Sequence, residues 1–534
     1  MDRGLYQRTI KNVSKGRSGR LSIAAALAFF ITTAPAFGQA ILEGERFHPV
    51  TATQGMVATS HTLATEVALE ALKNGGNAID AAVTAGFALA VTQPRSGNIG
   101  GGGFMLISRG DGSDPEAIDY REKAPAAATE TMFQDESGEV VKNRSRFTHL
   151  AAGVPGTVAG LALALERHGT ITLKQALAPA IKLAQEGFVV PQRFTEGLEQ
   201  ARERLERWPA TRDTFYKEIY EGETADLIAS EMERNGGLIT HQDLKDYRPV
   251  VRAPVHGNYR GYDIFSMSPP SSGGTHIVQI LNILEGFPMA EFGHNSADAI
   301  HHMAEAMKLA YADRSKYLGD TDYVEVPLEG LTSKGYADEL RKGINPDRAR
   351  PASDINPGQP AVWESPETTH FSVVDKWGNA VSNTYTINFS YGSGITVEGA
   401  GFLLNNEMDD FSAKPGVPNA YGLIGGEANK VEPGKRMLSS MSPTIVKKDG
   451  KNVLVTGSPG GSRIITTTLQ VILNVIDHGM NVQTAVSAPR MHHQWLPDEI
   501  RIEQGISPDT IRLLEERGHK VVGGSAMGAI QSIL

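Results

Sequence analysis

The run Thr369-His370-Phe371-Ser372-Val373-Val374, the turn Asp375-Lys376-Trp377-Gly378-Asn379 and the run Ala380-Val381-Ser382-Asn383-Thr384-Tyr385-Thr386-Ile387 decide the fold. Both runs are strand-like and the segment joining them carries Asp, Gly and Asn, so together they predict a β-hairpin. Just upstream, residues 348–366 are rich in Pro, Ser and Asn and predict an exposed connection with no core of its own. A chain break near residue 368 would therefore fall at the start of a strand.

Leu63, Val67 and Ala71 recur at a four-residue step and Asn74-Gly75-Gly76 supplies a stop, which predicts a helix over 61–72 and a second over 79–91. Glycines 100–103 lead into Phe104-Met105-Leu106-Ile107, a buried strand reached by close backbone packing. The Lys and Ser/Thr that a phosphate loop needs after its glycines are absent. Further strands are predicted at 117–121, 401–404 and 453–456, and further helices at 157–167, 297–314 and 464–477. Residues 188–220 are charged and aromatic with little period and predict a surface excursion. His301 and His302 fall beside the apolar stripe Ile300, Met303, Met307 and Tyr311, which predicts a solvated helix flank rather than metal ligation. Helices on both sides of hairpins predict a layered α+β arrangement rather than a βαβ wind.

Six basic residues, from Arg3 to Arg20, precede an uncharged run over 21–37 that contains Ala34-Pro35-Ala36. This order predicts a secretory signal peptide over 1–40, cleaved after Ala36 or Ala40, and hence a periplasmic or secreted protein. The apolar part, 21–33, is shorter than the roughly 20 residues a spanning helix needs, and no later window supplies a span. Removing residues 1–40 takes six Lys/Arg and one Asp, leaving 45 basic against 60 acidic side chains, a formal charge near −15. Such a balance excludes nucleic acid as the expected partner. The chain has no Cys, so thiolate catalysis, disulfides and cysteine metal sites are excluded and any nucleophile is oxygen or nitrogen.

A hydroxyl nucleophile ordinarily needs a separate base. A Thr at a chain terminus instead has its own α-amino group, whose pKa of about 7.7–8.0 leaves part of it neutral near neutral pH. Thr368 is such a residue only after a cut before it. Taken alone, Thr368 and Thr386 read as ordinary strand residues, Arg121 as a surface ion pair, the acidic group 407–410 as a solvated turn, and Gly460-Gly461 as a tight turn or an anion-binding start to the helix that follows.

Four motifs alter that reading: Glu367-Thr368-Thr369-His370-Phe371-Ser372-Val373-Val374-Asp375, Leu403-Leu404-Asn405-Asn406-Glu407-Met408-Asp409-Asp410-Phe411, Leu438-Ser439-Ser440-Met441-Ser442-Pro443-Thr444 and Thr456-Gly457-Ser458-Pro459-Gly460-Gly461-Ser462-Arg463. In this order they resemble the γ-glutamyltranspeptidases, members of the N-terminal-nucleophile hydrolases, and the resemblance runs from residue 56 to 534. It implies a four-layer αββα sandwich, with two central antiparallel sheets flanked by helices. It also implies self-cleavage between Glu367 and Thr368 into a large subunit over 41–367 and a small subunit over 368–534, paired as a heterodimer in one αββα unit.

The resemblance assigns roles residue by residue. Thr368 is the nucleophile, Thr386 its hydrogen-bonding neighbour, and Gly460 and Gly461 the oxyanion donors. Arg121, Ser439 and Ser440 hold the α-carboxylate of a γ-glutamyl group, while Asn388, Glu407 and Asp410 hold its α-ammonium. Tyr421 marks a Gly-rich lid over 415–426. The implied substrates are glutathione and other γ-glutamyl compounds, the acceptors water, amino acids or peptides, and no cofactor is implied. Two rivals are a related cephalosporin or glutaryl acylase, which would not need the ammonium-binding acids, and an unprocessed inactive homologue. Relative to the family, 188–220 is short and the chain stops at Gln531-Ser532-Ile533-Leu534, where members continue into a further strand; this predicts an exposed sheet edge.

Overall fold

The computed structural model describes residues 48–207, 224–355, 368–420 and 422–534. The signal segment 1–40, Glu367 and Tyr421 lie outside the described residues. Residues His48–Leu534 form one compact unit.

Its strands are β1 (Gly55–Ala58), β2 (Gly102–Ser108), β3 (Glu116–Tyr120), β4 (Val250–Arg252), β5 (Val255–Tyr259), β6 (Tyr262–Ser266), β7 (Thr369–Asp375), β8 (Ala380–Thr386), β9 (Thr444–Lys448) and β10 (Lys451–Thr456). They form two antiparallel sheets, a six-stranded one in the order β1-β7-β8-β2-β3-β4 and a four-stranded one in the order β10-β9-β6-β5. A small third sheet, β11 (Met491–His492), β12 (Ile500–Ile502) and β13 (Val521–Gly523), lies toward the C-terminus. The predicted hairpin is β7–β8, with Thr369 opposite Tyr385 and Val374 opposite Ala380.

Period-two alternation in that hairpin sorts its side chains between layers. Phe371 and Val373 of β7, with Val381 and Tyr385 of β8, pack on a helical layer built from α1 (Thr62–Lys73), α2 (Ala78–Thr92), α3 (Thr157–His168) and α4 (Leu173–Glu186). Full burial of such side chains contributes about 1.5–3 kcal/mol each. Phe371→Ala would cost about 3–5 kcal/mol by leaving a cavity under α2. The opposite face of the hairpin is polar and meets the second sheet, where the Ser382 hydroxyl donates to the carbonyl of Thr456 at 3.0 Å. Between the sheets Phe104, Leu106 and Ala380 pack against Phe265, Ile445 and Val455. The far face of the second sheet is covered by α6 (Gly273–Leu284), α7 (Ala297–Tyr317) and α8 (Arg463–Ile476). The four αββα layers are those the sequence resemblance implied.

Local chemistry sets the hairpin against its helices. Asp375 accepts the N–H groups of Trp377 and Asn379 through one oxygen, closing the turn, and the N–H of Ala78 at the start of α2 through the other. Gly103 lies so close to β8 that a Cβ there would stand 2.4 Å from the Cβ of Tyr385, which accounts for the glycine-rich approach to β2.

Four expectations need correction. His301 and His302 are buried, because α7 is enclosed by α6, by residues 345–355 and by the C-terminal layer. Residues 401–404 make one isolated bridge, Thr396 with Leu403, rather than a strand. Within the predicted excursion, Gln192–Glu206 is a helix, α5, whose Ala201 and Leu205 are buried against Ile387, Tyr391 and Leu403. The sheet edge at β10 is partly covered: Val455 and Ile533 exchange both backbone hydrogen bonds at 2.9 Å, and Ser532 Oγ lies 2.7 Å from Thr456 Oγ1.

Candidate active site

Extending the β7–β8 register by one residue sets Thr368 opposite Thr386, on the face that looks between the sheets. Thr368 is 7% exposed, and both threonines line one small cavity. The Thr386 hydroxyl oxygen accepts the N–H of Asn388 at 2.8 Å. Two residues into β7, His370 is fastened on both nitrogens. Ser372 donates its hydroxyl proton to the Gln531 carbonyl at 2.9 Å, so it accepts from His370 Nε2 at 3.1 Å, and His370 Nδ1 accepts from Thr384 Oγ1 at 2.8 Å. Burial pushes His370 down to about 3, so the imidazole is neutral and acts as a spacer rather than as a base.

Opposite Thr368 the chain leaves β10 and turns through Gly457–Ser462 into α8. Gly460 has φ of 141° and Gly461 of 57°, conformations that favour glycine. Among the described residues no protein acceptor takes either glycine's N–H. Gly461 lines the cavity at the positive end of α8, a position where a free N–H and the helix dipole can stabilise an anion. Gly460 stands one residue behind it and does not line the cavity.

The remaining predicted residues arrive from four segments. Arg121 follows the last residue of β3, and Glu407 and Asp410 sit on a single 3-10 turn. That turn is pinned by Asn405, whose side chain accepts the N–H groups of Glu407 and Gly153 and donates to the carbonyls of Gly100 and Gly153. Ser439 and Ser440 precede β9, and the Ser439 oxygen accepts the N–H of Met441 at 3.1 Å. Asn388, with φ of 71°, turns its amide onto the carbonyl of Asn406 at 2.9 Å. All of them line the same cavity as Thr368.

Arg121 is fully buried and ion-paired with Glu407 at 2.6 Å and Asp410 at 2.5 Å, so the acidic turn is a dry pocket and not a solvated one. Sequence reasoning missed Glu122, also fully buried, 3.5 Å from the Arg121 guanidinium and without a hydrogen-bond partner among the described residues. Burial raises the carboxyls of Glu407, Asp410 and Glu122, and Glu122 reaches about 8 and keeps its proton near neutrality. Burial also works against the charged form of Arg121, but Glu407 and Asp410 outweigh it and hold the guanidinium proton more firmly than usual. A second missed residue is Arg314 on α7, which donates from Nε to Ser272 Oγ at 3.0 Å and from Nη2 to Ser440 Oγ at 3.3 Å. It lies in the charged C-terminal stretch Asp313-Arg314-Ser315-Lys316 of α7, where nothing in the sequence sets it apart.

The cavity holds about 20 Å³, room for about one water molecule. Leu423 forms part of its wall and belongs to a small hairpin in the predicted lid, with Pro418 bridged to Ile424 and Gly416 bonded to Gly425. Asn419 and Ala420 tie this hairpin to the acidic turn through Asp410 and Asp409. A larger cavity of about 860 Å³ opens between α2, α4 and α5; its walls are mostly apolar and carry none of the predicted catalytic or binding residues. Among the described residues, one cluster has metal-ligand composition: His301, Glu305 and His519. Its donors already have protein partners, since the ring nitrogens of His301 and His519 meet at 2.7 Å, His301 Nε2 donates to the Asn345 carbonyl, and Glu305 pairs with Lys308 at 2.6 Å.

A family model described as gamma-glutamyltranspeptidase matches residues 64–218 and 216–534. The glutathione hydrolase proenzyme of Escherichia coli (strain K12) is 54% identical over 523 residues, covering 92% of this chain and 90% of that protein. Among solved structures, cephalosporin acylase from Bacillus halodurans matches with a TM-score of 0.78 at 28% identity, over 92% of this chain and 94% of that one. The Helicobacter pylori gamma-glutamyltranspeptidase matches with a TM-score of 0.56 at 45% identity, over 58% of this chain and 97% of that one.

Proposed function

The chain belongs to the γ-glutamyltranspeptidase family, and from that premise we propose that Thr368, once freed by self-cleavage, carries the γ-glutamyl group of glutathione and related amides to water or to an amine. The observation that carries this reading is the convergence on one small cavity of a strand-start threonine, a helix-start glycine N–H and the two oppositely charged halves of an amino-acid clamp.

In the maturation step the Thr368 hydroxyl attacks the carbonyl carbon of residue 367, the peptide C–N bond breaks, and the Thr368 nitrogen takes the proton. Water then hydrolyses the resulting ester, leaving a 41–367 subunit and a 368–534 subunit. In turnover the neutral α-amino group of Thr368 accepts the hydroxyl proton as Oγ1 attacks the γ-carbonyl carbon. The oxyanion is received by the N–H of Gly461, with Gly460 shaping the turn behind it. The α-ammonium returns the proton to the leaving amine, the C–N bond breaks, and a γ-glutamyl ester remains on Thr368. Water gives glutamate, and the amine of an amino acid or peptide gives a new γ-glutamyl amide.

Charge favours glutamyl over glutaryl substrates. The acids Glu407 and Asp410 are offset by an α-ammonium, which a glutaryl chain lacks. A cavity of about 20 Å³ is smaller than a glutamyl group, so its entry requires the wall that carries Leu423 to move aside. Its return excludes water and favours amine acceptors. The basic-then-apolar order of residues 3–37 supports export, and no helix among the described residues is long and apolar enough to cross a membrane.

The test compares wild type with Thr368→Ala on a denaturing gel and by intact mass. Wild type should give two fragments meeting between residues 367 and 368 and should hydrolyse γ-glutamyl-p-nitroanilide. Thr368→Ala should give one uncut chain and no turnover. Preference of the wild type for glutaryl-p-nitroanilide would overturn the glutamyl assignment, and an uncut wild type would overturn the maturation step.

A further inference from the structure

Arg121 is shared among acids, whereas Arg314 is not. Arg314 is 5% exposed on α7 and lines the cavity that holds Thr368, Ser440 and Gly461. Among the described residues no carboxylate lies within ion-pair distance of it. Its guanidinium is held by neutral hydroxyl oxygens alone, those of Ser272 at 3.0 Å and Ser440 at 3.3 Å. Burying a cation without a counter-ion is costly, and here burial brings the Arg314 guanidinium down to about 10. Such a group is retained where an anion is to be bound.

The hydroxyl protons around it point the same way. Ser272 donates its proton to the Ser439 carbonyl at 2.7 Å and so can only accept from Arg314. Ser440 Oγ accepts from Arg314 and Ser439 Oγ accepts from the Met441 N–H. Both serines therefore keep a proton to donate. Two hydroxyl protons and a guanidinium with no ion-pair partner among the described residues line the same cavity as Glu407 and Asp410, and Asp410 acts on that guanidinium only from beyond ion-pair distance.

We propose that Arg314 is a substrate-binding residue, the unneutralised cation that receives the α-carboxylate of the γ-glutamyl group alongside the Ser439 and Ser440 hydroxyls. The proposal rests on the γ-glutamyl reading above and assigns part of its specificity to a helix outside the four sequence motifs. Arg121 then has two duties, closing one side of the carboxylate site and holding the acids that take the α-ammonium.

Arg314→Gln and Arg314→Lys are to be assayed on γ-glutamyl-p-nitroanilide and on 4-aminobutanoyl-p-nitroanilide, which lacks only the α-carboxylate. Loss of a charge-assisted contact predicts that Arg314→Gln lowers kcat/KM on the glutamyl anilide by about 10- to 150-fold, chiefly through KM. The aminobutanoyl anilide should change by less than about threefold, and Arg314→Lys, which keeps the charge, should recover most of the glutamyl rate. An equal fall on both substrates, or no fall on either, overturns the proposal. If Arg314→Gln remains uncut, Arg314→Lys carries the test through the part of the rate it does not recover: that residual loss must be larger on the glutamyl anilide than on the aminobutanoyl anilide, and parallel loss refutes the assignment. A wild type inactive on the glutamyl anilide would instead refute the proposed function.

Discussion

Asp410→Asn isolates the ammonium half of the clamp. The substitution keeps the size and one acceptor oxygen of the side chain but removes its charge. Arg121 would lose its 2.5 Å partner yet keep Glu407 at 2.6 Å and Glu122 at 3.5 Å. Removing one partner of an isolated buried pair costs about 3–5 kcal/mol. Here Glu407 remains in contact, and burial already disfavours the Asp410 charge, so the loss in folding stability should stay below about 2 kcal/mol. The bound α-ammonium loses more, a charge-assisted hydrogen bond worth about 1.5–3 kcal/mol, or roughly 10- to 150-fold in kcat/KM. The assay is steady-state hydrolysis of γ-glutamyl- and glutaryl-p-nitroanilide by the processed variant. The glutamyl rate should fall by that factor while the glutaryl rate holds or rises. A fall of the same size on both anilides would mean that Asp410 only supports the fold, and the two-halved clamp would be wrong.

Gly457→Ala should disturb maturation without touching the cavity: a Cβ there would lie 2.4 Å from His370 Cε1, against a ring fixed by two hydrogen bonds. The expected results are a loss of about 1–3 kcal/mol and accumulation of the uncut chain on a gel; normal cleavage would show that β7 tolerates the displacement. Acid should destabilise the protein. Burial lowers His276 and His301 to about 4, His370 and His492 to about 3, and His519 to about 2. Between pH 6.5 and those values the unfolded chain binds protons that the folded one does not, so stability falls as pH falls, by up to about 1.4 kcal/mol per unit for each histidine. The raised carboxyls Glu122, Glu407 and Asp410 act in the opposite sense until the same groups in the unfolded chain are protonated, at about pH 4. Tm measured against pH should therefore drop most steeply below about pH 4.5, and a flat profile from 6.5 to 4 would contradict the buried neutral histidines.

The hairpin and its neighbours were legible because alternation and turn chemistry agree: Phe371, Val373 and Tyr385 face the helices, and Asp375 closes the turn. The clamp was legible only through motif resemblance. Nothing local distinguishes Arg121 or Glu407 from surface charges, since their burial comes from residues about 290 positions apart meeting at the ends of β3 and the 407–410 turn. Arg314 and Glu122 were illegible for the same reason and had no motif to point to them. His301 and His302 were misread because a helix's apolar stripe reports one packed face, whereas α7 is packed on nearly all of its faces. α5 was hidden by its charged composition, although Ala201 and Leu205 recur at a four-residue step on its buried side.

The order of strands gives self-cleavage an unusual aftermath. In the first sheet β7 and β8 come from beyond residue 368, yet they lie between β1 and β2 from before it, and in the second sheet β9 pairs with β6 across the same divide. A cut before Thr368 would therefore release nothing, but it would change the molecularity of folding. The precursor refolds as one chain at a rate independent of concentration. Once cut, an unfolded molecule must find its other half by diffusion. The mature enzyme then persists through the height of its unfolding barrier, holding a structure that its separated pieces could recover only by encounter.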